Sequence, residues 1–96
     1  MTKVEIVNSI SSKTGLDKKE VLSIVEAFMQ CVKDSMADGE EVFLRGFGSF
    51  IIKHRAEKTA RNISKNVSMI VPEHDIPAFR PAKEFLHAVS KGQQDN

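Results

Sequence analysis

The spacing of apolar residues changes along this chain, and each change predicts a different element. Val4, Ile6, Val7 and Ile10 recur at near-helical intervals and run up to Gly15, a natural left-handed stop. Thr2 with Glu5 three positions on reads as a capping box, with Met1 and Ile6 at the staple positions. The spacing predicts a first helix ending near Lys13 or Thr14. The signal then repeats. Asp17 with Glu20 reads as a second capping box, flanked by Leu16 and Val21. Val21, Ile24, Val25, Phe28, Met29, Val32 and Met36 form a wide helical stripe, which Leu22 and Cys31 widen further before Asp38-Gly39 stops it. The prediction is an αα-hairpin. Its second helix is apolar over so much of its surface that one short partner helix cannot cover it. A second copy of the chain is the simplest cover.

After Gly39 the pattern shifts. Residues 42–45 read as a strand, Gly46-Phe47-Gly48 as a tight connection, and Ser49 onward as a second strand, with Phe47 and Phe50 in the core. Beyond Ile52 the apolar signal fades into HRAEKTARNISKN, residues 54–66, whose one large apolar residue is Ile63. It returns as Val67, Met69, Ile70 and Val71, and Pro72 breaks or edges that strand. Ile76-Pro77-Ala78-Phe79 reads as a last short strand, and Pro81 suits the first position of a final helix carrying Phe85, Leu86 and Val89. Lys91-Gly92 is expected to end it, leaving a frayed tail. The polar excursion is roughly symmetric about the turn-forming residues 64–66, which predicts a two-stranded ribbon projecting from the body. The expected class is α+β, a single domain over 1–96: a helical hairpin, a three-stranded antiparallel sheet with an arm over about 53–75, and a C-terminal helix.

Composition narrows the partners. Ninety-six residues are too few for two independent cores. With no Trp or Tyr, the core must be built from Phe, Leu, Ile, Val and Met. The single cysteine, Cys31, falls in the apolar stripe and reads as a packed thiol, and one cysteine excludes an internal disulfide. No apolar run approaches the roughly 20 residues of a membrane span, and MTKVEIVNS lacks the order of a secretory signal, so the expected compartment is the cytoplasm, with no membrane partner. The net charge is only +1, but it is unevenly placed: −3 over 1–44, +5 over 45–66 and −1 over 67–96. A concentrated basic stripe is the footprint of a polyanion site.

Catalysis lacks its parts. His54, His74 and His87 have no metal-ligand spacing, Ser49 is not in a G-x-S-x-G elbow, and Gly46-Phe47-Gly48 lacks a following G-K-[ST]. No enzyme activity, metal or cofactor is expected. Nucleic acid fits better. Arg55, Lys58, Arg61 and Lys65, with Lys53 in the same basic segment, can follow a phosphate backbone along one ribbon. A β-ribbon is narrow enough to enter a groove of duplex DNA, where Arg61 and Asn62 can donate to A·T acceptors. Ile63, with nothing of its own to bury against, suits a wedge between base pairs. The same run also suits a solvated loop, or the arm of a dimerisation module that binds RNA or a protein.

GFGSF at 46–50, HRAEKTARN at 54–62 and IPAFRPAKEF at 76–85 together resemble the bacterial histone-like HU and integration host factor family, over almost the whole chain. That family is itself a standing example of β-ribbon and minor-groove binding, so the wedge role comes from the resemblance as well as from the residues. The resemblance implies an intertwined dimer, of identical chains or with a sister subunit, in the bacterial nucleoid. Its two arms reach around double-stranded DNA and bend it at the arm tips. It implies DNA contacts at Arg55, Lys58, Arg61 and Asn62, and phosphate contacts at Lys3, Arg80, Lys83 and the backbone of Gly46 to Gly48. It makes Phe28, Phe47, Phe50 and Phe79 core or dimer-interface residues. The usual Gly-Arg-Asn-Pro of the arm tip is Ala60-Arg61-Asn62-Ile63 here, which moves the wedge expectation from proline to isoleucine. The returning strand lacks the lysines common there.

Overall fold

The computed structural model describes residues 1–62 and 67–94. Helix α1 (Lys3–Thr14) starts where the sequence predicts: the Thr2 hydroxyl accepts from the Glu5 amide at 3.3 Å. It ends at Gly15, whose φ of 76° returns its amide to the Ser11 carbonyl. Helix α2 (Lys18–Ala37) departs from the expected second capping box. Asp17 has the extended backbone of an N-cap, but its carboxylate makes no capping bond, leaving only its charge near the helix N-terminus. Gly39, at φ 86°, terminates α2 by donating to the Met36 carbonyl.

The sheet follows. Strands β1 (Val42–Leu44), β2 (Gly48–Arg55) and β5 (His74–Pro81) form an antiparallel sheet in the order β1-β2-β5. The Glu41 carboxylate accepts from the Ile52 amide at 2.9 Å and so prolongs the hold on β2 past the end of short β1. Strand β5 is twice as long as the four residues expected of it, because it pairs along the whole of β2, from Gly48 opposite Pro81 to Arg55 opposite His74. Pro77 and Pro81 are tolerated because β5 is an edge strand.

Strands β3 (Lys58–Asn62) and β4 (Val67–Val71) form a separate two-stranded sheet. The arm is therefore two paired segments rather than one continuous ribbon. Residues 56–57 and 72–73 drop out of pairing, and Pro72, with no amide to donate, stands in that break. Arg55 faces His74 before the break and Lys58 faces Val71 after it. Two residues leave on each side, so the register passes through unchanged.

Helix α3 (Lys83–Gln94) begins two residues after Pro81 and runs past Lys91-Gly92, the expected end. The first difference has a clear cause. The Ala82 amide donates to the Phe47 carbonyl, so the sheet ladder holds the chain until Ala82, which then caps the helix by accepting from Phe85 and Leu86. Gln93 and Gln94, the first two residues of the tail expected to fray, are helical.

Among the described residues few are buried in the single chain, and the apolar side chains among them are Val7, Val21 and Ile51. Phe47, Phe50, Phe79 and Phe85 form a continuous aromatic cluster with ring centroids 5.1 to 6.0 Å apart, which seats α3 on the sheet. The radius of gyration of the chain is 19.0 Å, against about 13 Å for a compact domain of this length.

Candidate nucleic-acid interface

The cations of the arm lie on its outgoing side. Lys53 and Arg55 are exposed residues of β2 two positions apart, on one face of the strand, and Lys58 is exposed at the start of β3. Arg61 and Asn62 occupy the register positions opposite Ser68 and Val67. The returning side is different in kind. Strand β4 reads VSMIV and carries no charge, and the segment behind it carries Glu73 and Asp75. Ile63 and Lys65, the expected wedge and the last arm cation, lie outside the described residues.

At the arm root His54 sits between the two acids. Its Nδ1 is 2.8 Å from Asp75 and its Nε2 is 3.4 Å from Glu73. The hydrogen bond to Asp75 raises the imidazole above its ordinary range, Glu73 adds to this, and desolvation opposes it. Both ring nitrogens donate only in the protonated ring, so the pair of contacts favours imidazolium. When protonated, the ring offsets the two carboxylates it touches. Sequence reasoning tested His54 for metal binding and catalysis and missed this role. The signal is a cross-strand one, His54 opposite Asp75, and appears only once the register is known. Beside it, the His74 ring contacts the Pro72 carbonyl at 2.9 Å.

A second basic group gathers at the far end of the sheet. Gly46, at φ 81°, turns the chain between β1 and β2, and the Phe47 amide is bonded within that turn to Leu44. The bond from Ala82 to Phe47 brings the start of α3 against the turn. Arg45, Gly46, Arg80 and Lys83 are all exposed there, with Arg80 paired to Ser49 in the ladder. Arg45, counted in the basic segment but not assigned to a site, thus joins the expected group. Gly48 is buried, and a Cβ on it would stand 2.5 Å from the Phe79 ring and 2.6 Å from the Arg80 carbonyl. Its glycine identity is a packing requirement.

Lys3 belongs to neither group by any described contact. It stands at the first position of α1 with its ammonium paired to Glu26 of α2, both half-exposed. Among the described residues no cluster of His, Cys, Asp or Glu could hold a metal ion, and no helix is long and apolar enough to cross a membrane.

Comparison with known proteins places this geometry. The sequence family described as bacterial DNA-binding protein matches residues 1–90. The chain is 34% identical over 89 residues to the DNA-binding protein HU of Geobacillus stearothermophilus, covering 93% of this chain and 99% of that one. It is 40% identical over 91 residues to integration host factor subunit beta of Marinobacter nauticus, covering 94% and 93%. Among solved structures, the Anabaena HU–DNA cocrystal superposes with a TM-score of 0.88 at 31% identity, covering 93% of this chain and 97% of that one. HU from Thermotoga maritima gives 0.66 at 27% identity, covering 93% and 98%. With the match running over nearly the whole chain, the chain belongs to the bacterial DNA-binding protein family of HU and integration host factor.

Proposed function

We propose that two such chains, identical or paired with a sister subunit, form an intertwined dimer that binds double-stranded DNA and bends it between the two arms. The observation that carries this reading is an arm with almost no core of its own and exposed Lys53, Arg55 and Lys58 along its outgoing strand. A two-stranded ribbon alone is marginal in water. It gains order when a long polyanion lies against it, and neutralised phosphates release their counterions. In sequence Arg61 and Lys65 continue the run of cations, and Asn62 adds a neutral donor. Arg45, Arg80 and Lys83, with the Gly46 turn and Lys3, bind the phosphates of flanking duplex as it curves back onto the body.

The dimer is supported by what one chain leaves uncovered. Phe28 is 46% exposed and Phe43 71% exposed. An open groove of about 540 Å³ between α2 and the sheet is lined by Val32, Met36, Phe50, Ile52, Ile76 and Pro77 among others. Exposed apolar surface of this extent marks an interface. Phe28, Phe47, Phe50 and Phe79 then serve as interface and core together.

The function is architectural and involves no reaction and no cofactor, in the bacterial nucleoid of the cytoplasm. Bound arms stabilise a bend whose elastic cost is smallest in flexible or damaged DNA. Ile63 is the wedge that unstacks a base step at each arm tip. The test is a short duplex labelled at both ends and titrated with the protein at several salt concentrations. Binding that weakens with salt while the ends approach supports the reading. Ends that stay apart, preference for RNA over the duplex, or binding to a protein without salt dependence would exclude it. Ile63→Ala is expected to reduce the approach of the ends and to leave the dimer intact by sedimentation. Unchanged bending would remove the wedge.

A further inference from the structure

Strand β4 raises a question that cations do not answer. Val67, Met69 and Ile70 are 52%, 54% and 69% exposed, on a strand that points away from the body. Alternation puts Val67 and Met69 on one face and Ile70 on the other. An ordinary half-buried strand is apolar on one face only, whereas a strand apolar on both faces is built to be covered on both sides. Among the described residues nothing does this. There the strand beside β4 is β3, where Met69 faces Ala60 and Ile70 faces Thr59.

We propose that β4 is a hydrocarbon strip which Val67, Met69 and Ile70 lay along the deoxyribose walls of the DNA minor groove. This inference rests on the DNA-binding reading above and adds the residues that give the arm its salt-independent affinity. A groove has two walls and so can cover both faces of one ribbon, whereas a flat protein surface or a membrane covers one. Those walls are largely sugar C–H, with phosphates only at the rim. Lys58, directly opposite Val71 on the same ribbon, has the length to reach the rim while β4 lies deeper. Widening of the groove in bent DNA admits the ribbon. The uncharged return strand is therefore a second kind of contact and not a weakened copy of the first.

The experiment uses the full-length protein, a duplex of about three helical turns, and dissociation constants measured across a salt series. Met69→Thr with Ile70→Thr keeps β propensity and removes hydrocarbon. The expected result is affinity lower by about tenfold or more at every salt concentration with an unchanged log–log slope. Met69→Leu with Ile70→Val, which keeps the hydrocarbon, restores binding. Met69→Lys steepens the slope by about one unit by adding a phosphate contact. Wild-type affinity in the threonine pair, or a changed slope in place of a parallel shift, overturns the proposal while leaving DNA binding standing. So does loss of a higher assembly without loss of DNA affinity, which would make the strip an arm-to-arm contact. No DNA binding by the unsubstituted chain overturns both readings.

Discussion

The body and the arm use the same kinds of residue to opposite ends. In the body, Val7 and Val21 close the helical hairpin, Ile51 anchors the central strand, and four phenylalanines seat α3 on the sheet. There an apolar side chain finds its cover in the chain or in a second copy. In the arm, Val67, Met69 and Ile70 stay in water although their strand is fully paired. Backbone pairing and burial are thus separate properties. The ribbon is held by its ladder and by a register carried unbroken across the gap at 56–57 and 72–73, and its surface is left for something else. Stability should reside in the body and affinity in the arm.

The largest effect that would test this division lies in the body. Gly48→Ala forces a Cβ onto the Phe79 ring and, worse, onto the Arg80 carbonyl, which is backbone and cannot step aside. A loss of about 3 kcal/mol is expected for such overpacking, read as a lower melting temperature, with the salt slope of DNA binding in the folded fraction unchanged. Wild-type stability would mean that the β2–β5 ladder shifts freely there. Next comes the arm. Lys58→Ala should weaken DNA binding several-fold and reduce the salt slope by about one, without moving the melting temperature. A shifted melt would show that the arm contributes to the fold and would break the comparison.

The smallest effect lies at the join. The folded-state pKa of His54 is raised, chiefly by Asp75 and then by Glu73. The contact is therefore fully present below the unfolded value of about 6.5 and is lost as pH rises through the higher folded value. Because the group is exposed, the consequence is a local loosening of the arm root. The imidazole resonance should titrate above its free range, and Asp75→Asn should bring it back down. A titration indifferent to Asp75 would sink the link between the two strands.

Much of this was legible from sequence because local chemistry decided it. Thr2, Gly15 and Gly39 set the ends of the helices by caps and left-handed turns, which depend on the few residues around them. Residues 54–66 announced a projecting arm because a long polar run cannot build a core. The failures share a different origin. Pro81 looked like a helix start, yet the sheet holds the chain one residue longer through the bond from Ala82 to Phe47. The last strand looked short because its apolar signal covers only Ile76 to Phe79, while its length was set by β2. The partnership of His54 with Asp75 spans 21 positions and exists only when two strands take one register.

The sequence by itself determined the element types, the basic character of the middle segment and the need for a cover over α2, because each follows from residues close together in the chain. Only the tertiary structure decided how the ladder divides the arm, which glycine is held by an aromatic ring, and which strand presents charge and which presents hydrocarbon to the outside. Those depend on the pairing of distant residues, and an alternating pattern shows that a strand has two faces without showing what will cover them.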